Sequence, residues 1–254
     1  MLLVHAVALL ATAASAAPFA ERSLNSIKWT PDHVLQPGEV ILFGEGRMEV
    51  VHESVYHELI SSQALSHHPG DFHDAVETPS AGRNSSKLHS RDSCDLTTAV
   101  VTDKTQTFVD WDVQMSPVVI GTGNGIDVSV SSGYTVGNSI SVSAGLDFNL
   151  IKDKLGSSVG IDYTRTWSTQ TVVTVKATVA NGYSGVMITK PIKTRKSGRV
   201  LKGCLGSQTQ EGTFSADSYE DGSYSGVKWV SGAITMCSKK EFPLSRCSGS
   251  GNFI

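Results

Sequence analysis

The chain has 254 residues, 39% of them hydrophobic and 18% charged, with a formal net charge of −3. That balance excludes a disordered chain, and the lack of a basic excess argues against a nucleic-acid partner. The length fits one large domain or two small ones, and the abundance of Ser, Thr, Gly and Val points to β-sheet.

Residues 1–16 are apolar and end in Ala14-Ser15-Ala16, the small-residue pattern of a secretory signal peptide. The stretch is too short to span a bilayer. The expectation is a secreted, extracellular protein. Residues 17–91 form an N-terminal segment, a candidate pro-segment with Arg91 as the cleavage point. Within it, Glu39–Phe43 and Arg47–Val51 predict a hairpin turning through Gly44-Glu45-Gly46, followed by a short helix to about Leu65. The rest is polar and linker-like, and Asn84 opens an N-x-[ST] glycosylation sequon.

Residues 92–254 read as one β domain. "LTTAVVT" and "QTFVDWDV" are candidate strands. From Ile126 to Leu150 every second residue is apolar with only two lapses, and from Leu155 to Val179 most odd positions are apolar, with mainly Ser, Thr, Gly and Asp between them. Two such blocks joined by a short charged turn predict an amphipathic β-hairpin with its tip at Ile151–Leu155. Its apolar face would carry Ile140, Val142, Leu146, Phe148, Leu150, Leu155, Val159, Ile161, Tyr163 and Trp167. Gly133, Gly137 and Asn138 offer an alternative in which the first block turns into shorter strands. "GVMITKPIKTRKSGRVLKG" predicts a second hairpin, turning at Ser197-Gly198. Its basic side chains Lys190, Lys193, Arg195, Lys196, Arg199 and Lys202 are candidates for binding an anionic surface. Two more strands are expected around Glu220–Ser225, and no helix after residue 91. The fold class is therefore mainly β, an antiparallel sandwich or an elongated sheet, with a small α/β N-terminal segment.

Chemistry is sparse. No histidine follows His89, which excludes a Ser-His-Asp or Cys-His nucleophile within the β domain. Asp110 with Asp112 is the candidate carboxylate pair for a glycan hydrolase, and is read as decoration on the outer face of a strand. Asp217, Glu220 and Asp221 read as turn residues. No metal or cofactor is expected. Cys94, Cys204, Cys237 and Cys247 suggest two disulfides in an oxidising compartment. Three pairings are open, of which Cys94–Cys204 with Cys237–Cys247 is preferred.

The run "GNSISVSAGLDFNLIKDKLGSSVGIDYTRTWSTQTVVTVKATVANGYSGVMI" is similar to the stem region of aerolysin-type β-pore-forming proteins, with Trp167-Ser168-Thr169 and Thr171–Val175 in the place of the return strand. The whole layout, with its signal peptide and the basic "ITKPIKTRKSGRVLKGC", resembles small secreted effector-like proteins of plant-associated filamentous fungi. The cysteines are fewer than in disulfide-dense effectors, and no lectin domain accompanies the stem-like part. The resemblance implies release and action on a host or competitor. The first functional expectation is a non-enzymatic effector or virulence-type protein that recognises a protein, glycan or membrane surface. The second is a pore former, monomeric until it oligomerises and inserts the 138–168 hairpin. The third is a carboxylate-dependent glycan hydrolase.

Overall fold

A computed structural model describes residues 25–44, 46–67, 96–170 and 175–254. The expected signal peptide, the candidate glycosylation site Asn84, Arg91 and Cys94 lie outside these residues.

The expected N-terminal hairpin is present as β1 (Glu39–Gly44) and β2 (Arg47–His52), paired antiparallel. Helix α1 (Glu53–Ser62) follows directly. The His52 side chain accepts the Ser54 amide at its N-terminus, supplying a cap to one of the unpaired first-turn donors. Tyr56, Leu59 and Ile60, spaced three and four apart, face inward onto Val40, Leu42, Val51, Val109, Ile192 and Ala233. The hairpin is joined to the β domain by strand pairing rather than by a linker alone, because β1 pairs with β7 (Gly232–Lys239).

One strand organises the rest. β5 runs unbroken from Ser184 to Gly203, 20 residues or roughly 66 Å at the usual strand rise. Its first half, Ser184–Pro191, pairs with β7. Its second half lies between β3 (Thr97–Val109) and β6 (Thr209–Tyr219), and all these pairings are antiparallel. Pro191 stands where the partners change, the kind of ladder position at which a residue without an amide donor is tolerated. At the outer edge of β6 lies β4 (Ser139–Val142). A smaller sheet of Val34–Leu35, Lys176–Val179 and Ile126–Ser129 covers the first half of this arrangement. Between the layers lies the main core, which includes Trp29, Phe43, Met48, Met187, Trp167 and Trp229. The fold is mainly β, and among the described residues no sheet closes into a barrel.

Several expectations need correction. Ser197-Gly198 is not a turn: it sits inside β5 at a β-bulge, where Ser197 faces Lys104 and Gly198 faces Thr102, leaving Asp103 as the extra residue. "LTTAVVT" and "QTFV" are one continuous strand, β3. The block 126–150 does not run straight. It turns at Gly133, whose φ of +98° suits a residue without a side chain, and resumes as Thr135–Gly137 and β4. The expected hairpin tip is helix α2 (Phe148–Val159).

Candidate functional site

Nine of the ten residues expected on one apolar hairpin face are divided among three environments. Ile140, Val142, Leu146 and Ile161 pack around Leu155, Ile151 and Tyr163, which together cover Val200, Phe214 and Ala216 on the outer half of the long sheet. Trp167 belongs to the main core. Phe148 and Leu150 are 43% and 39% exposed. Val159 ends α2, and its side chain lies outside the described set. Residues 138–168 are thus a strand–helix–strand segment laid on the sheet of β3, β5 and β6.

The helix has local causes that the alternating pattern obscured. Asp147 accepts the Leu150 amide at the N-terminus, and Gly160 closes the C-terminus in the left-handed region at φ +70°. Ile151 and Leu155 are four apart and fully buried. Against these stand Gly156, Ser157 and Ser158, which are weak helix formers, and a length of 12 residues, marginal for an isolated helix in water. The helix therefore depends on its contact with the sheet.

The basic stretch is not a free cationic hairpin. Along the second half of β5 its charges are taken up by partners on the neighbouring strands. Lys193 Nζ lies 2.6 Å from Asp110 and 3.3 Å from Asp217, and Arg195 makes a two-point contact with Asp217. Arg199 grips Asp103, the extra residue of the bulge in β3. Lys202 lies 3.5 Å from Glu211, the extra residue of a second bulge, in β6. Both bulges thus aim a carboxylate at the central strand. Lys190 lies over the Tyr56 ring, and Lys196 is half-buried between Thr105 and Ala216.

The seam is buried at its Lys193 and Arg195 end and exposed at Arg199 and Lys202. Burial opposes ionisation of Asp217, but the Arg195 hydrogen bond and the charges of Lys193 and Arg195 outweigh it, and the carboxyl titrates below its ordinary range. The Tyr219 hydroxyl donates to Asp110 at 2.7 Å; burial and the adjacent carboxylate push its pKa far up.

Asp110 and Asp112 do not decorate an outer strand face. They follow the end of β3, are 7% and 1% exposed, and occupy different surroundings. Asp112 lies beneath the C-terminal tail, where one oxygen accepts the Ser248 amide at 2.6 Å and the other is buried without a hydrogen-bond partner. Burial raises its pKa, only partly offset by the Ser248 amide and the charge of Lys190. Its carboxylate and the sulfurs of Cys237 and Cys247 lie within 4.8 Å of one another, but those sulfurs form a disulfide and are unavailable as metal ligands. Asp110 is held by Lys193 and the Tyr219 hydroxyl, and Asp112 by the Ser248 amide beneath the tail.

The Cys237–Cys247 disulfide is as expected. Cys204 is also disulfide-bonded, and its expected partner, Cys94, lies outside the described residues. No helix among the described residues is long and apolar enough to cross a membrane. Comparison with protein-family models finds no match, and comparison with curated proteins finds none either.

Proposed function

We propose that the chain is a secreted, non-enzymatic protein of effector or virulence type that acts on the membrane of a host or competitor, with residues 138–168 entering the bilayer after oligomerisation. The observation that carries this reading is a conflict between pattern and conformation. A segment with the alternation of a membrane-spanning hairpin is folded as a marginal helix between short strands and held by contacts with a long sheet. Sequence and structure normally agree across levels, and a local disagreement of this kind points to function.

Recognition of a protein or glycan surface by the basic stretch is less well supported, because Lys193 and Arg195 are committed to buried ion pairs and Arg199 and Lys202 already face Asp103 and Glu211. The test is dye release from liposomes at micromolar protein, with the membrane-bound species sized by electron microscopy. Leakage accompanied by ring-sized oligomers is the expected result. Intact liposomes and monomeric protein, before and after cleavage near Arg91, would overturn the proposal.

A further inference from the structure

Resting on the membrane reading above, we infer that the short ladder of Thr135–Gly137 with Thr166–Ser168 is the nucleus from which residues 138–150 and 153–165 zip into one hairpin, in the register the ladder already holds. Thr135 faces Ser168, Val136 faces Trp167 and Gly137 faces Thr166. Asn138 already extends the pattern, donating its amide to the Arg165 carbonyl at 3.0 Å.

Continued one residue at a time, this register sets Ile140 opposite Tyr163, Val142 opposite Ile161, Ala144 opposite Val159 and Phe148 opposite Leu155. The other face receives Ser139 with Thr164, Ser141 with Asp162, Ser143 with Gly160 and Asn149 with Lys154. Leu146 with Ser157 and Leu150 with Asp153 are the mixed pairs. Ile151-Lys152 is left as a two-residue turn, a favoured hairpin length. Each arm has 13 residues, more than the roughly 9–11 that a membrane strand needs. The outer edge of β4 is free to accept the return arm, because β4 is the last strand of its sheet and pairs only with β6 among the described residues.

A latch holds the two ends of the segment in the docked form. The Asn138 amide group donates to the Asp162 carbonyl at 2.8 Å, and its oxygen accepts the Tyr219 amide at 2.8 Å. Asp221 accepts from Arg165 at 2.5 Å and from the Trp167 indole at 2.7 Å. The start of the segment is thereby tied to Tyr219 at the end of β6, and its end to Asp221 two residues further on. The Arg165–Asp221 pair is about half exposed and so open to competition from solvent ions.

The test is the Asn149→Cys/Lys154→Cys variant under mild oxidation, with the cross-link read by peptide mass mapping. Neither side chain is buried. In the docked helix the two positions are five residues apart, about 7.5 Å along the axis and on different faces, beyond disulfide reach. In the zipped hairpin they stand directly opposite. The expected result is at least a tenfold rise in cross-linking when liposomes are added, with no rise for the out-of-register Asn149→Cys/Ser157→Cys variant. Leakage without cross-linking would overturn the register while leaving the membrane reading intact. Cross-linking without leakage would support the register and count against the pore. Equal cross-linking in both variants would overturn the register.

Discussion

Gly198→Ala tests whether β5 passes straight through the position where the sequence suggested a turn. A Cβ at residue 198 would overlap the Val101 carbonyl oxygen and lie 2.9 Å from both the Phe214 ring and Thr102 Cα. Ordinary carbon contacts begin near 3.5 Å, so neighbouring atoms would have to move. Two of the three obstacles are backbone atoms of β3, hydrogen-bonded in the sheet on that side. Overpacking of this kind costs typically about 1–3 kcal/mol, and the rigidity of the obstacle puts this case at the upper end, about 3 kcal/mol. For a chain of this size that corresponds to a fall in Tm of about 6–12 °C. The assay is thermal unfolding followed by circular dichroism, with urea titration to check that the m-value is unchanged. At an exposed hairpin turn there would be no such obstacle. A Tm within about 2 °C of the parent would refute the continuous strand and its bulge.

Other expectations follow from the charged seam, the tail and the latch. Lys193→Ala leaves Asp110 and Asp217 facing each other in a buried site and is expected to cost about 3–5 kcal/mol, measured by urea unfolding; a loss below about 1 kcal/mol contradicts the seam. Asp112 has a raised folded-state pKa, so its contribution to stability is present below the ordinary carboxylate range and is lost as pH rises through the raised value. Asp112→Asn is therefore expected to raise Tm more at pH 7–8 than at pH 4; a uniform shift counts against burial as the cause. Asp217 has the opposite sign, its contribution being lost as pH falls through its depressed value. Asp221→Asn weakens the latch and is expected to speed amide exchange across residues 139–164 while leaving β5 protected; exchange unchanged in that segment shows that Asp221 does not hold it.

The N-terminal hairpin and α1 were legible because their signals are local: a Gly-rich turn, short apolar runs and a helical spacing at Tyr56, Leu59 and Ile60. Mainly β structure was legible from composition and alternation. The basic stretch misled because its partners are remote. Asp103 and Asp110 lie more than 80 residues before the cations they neutralise, and only the strand register brings them together. Alternation at 138–168 misled because it describes a conformation that the tertiary contacts override. A signal for α2 was nevertheless present in Asp147, Gly160 and the spacing of Ile151 and Leu155. Asp112 could not be placed from sequence, since its burial depends on the tail folding back over it.

The most direct measurement of the central claim is the leakage rate of Ala144→Lys. Ala144 is exposed in the docked form, so the substitution is expected to leave Tm unchanged. In the zipped hairpin it stands at the midpoint of an arm, on the lipid-facing side opposite Val159. A lysine at the bilayer midplane costs about 2–4 kcal/mol, and even the lower figure slows leakage about 30-fold. Asn149→Lys, on the polar face, is expected to leak as the parent does. A normal leakage rate for Ala144→Lys, with Tm unchanged, would show that residues 138–168 do not enter the membrane.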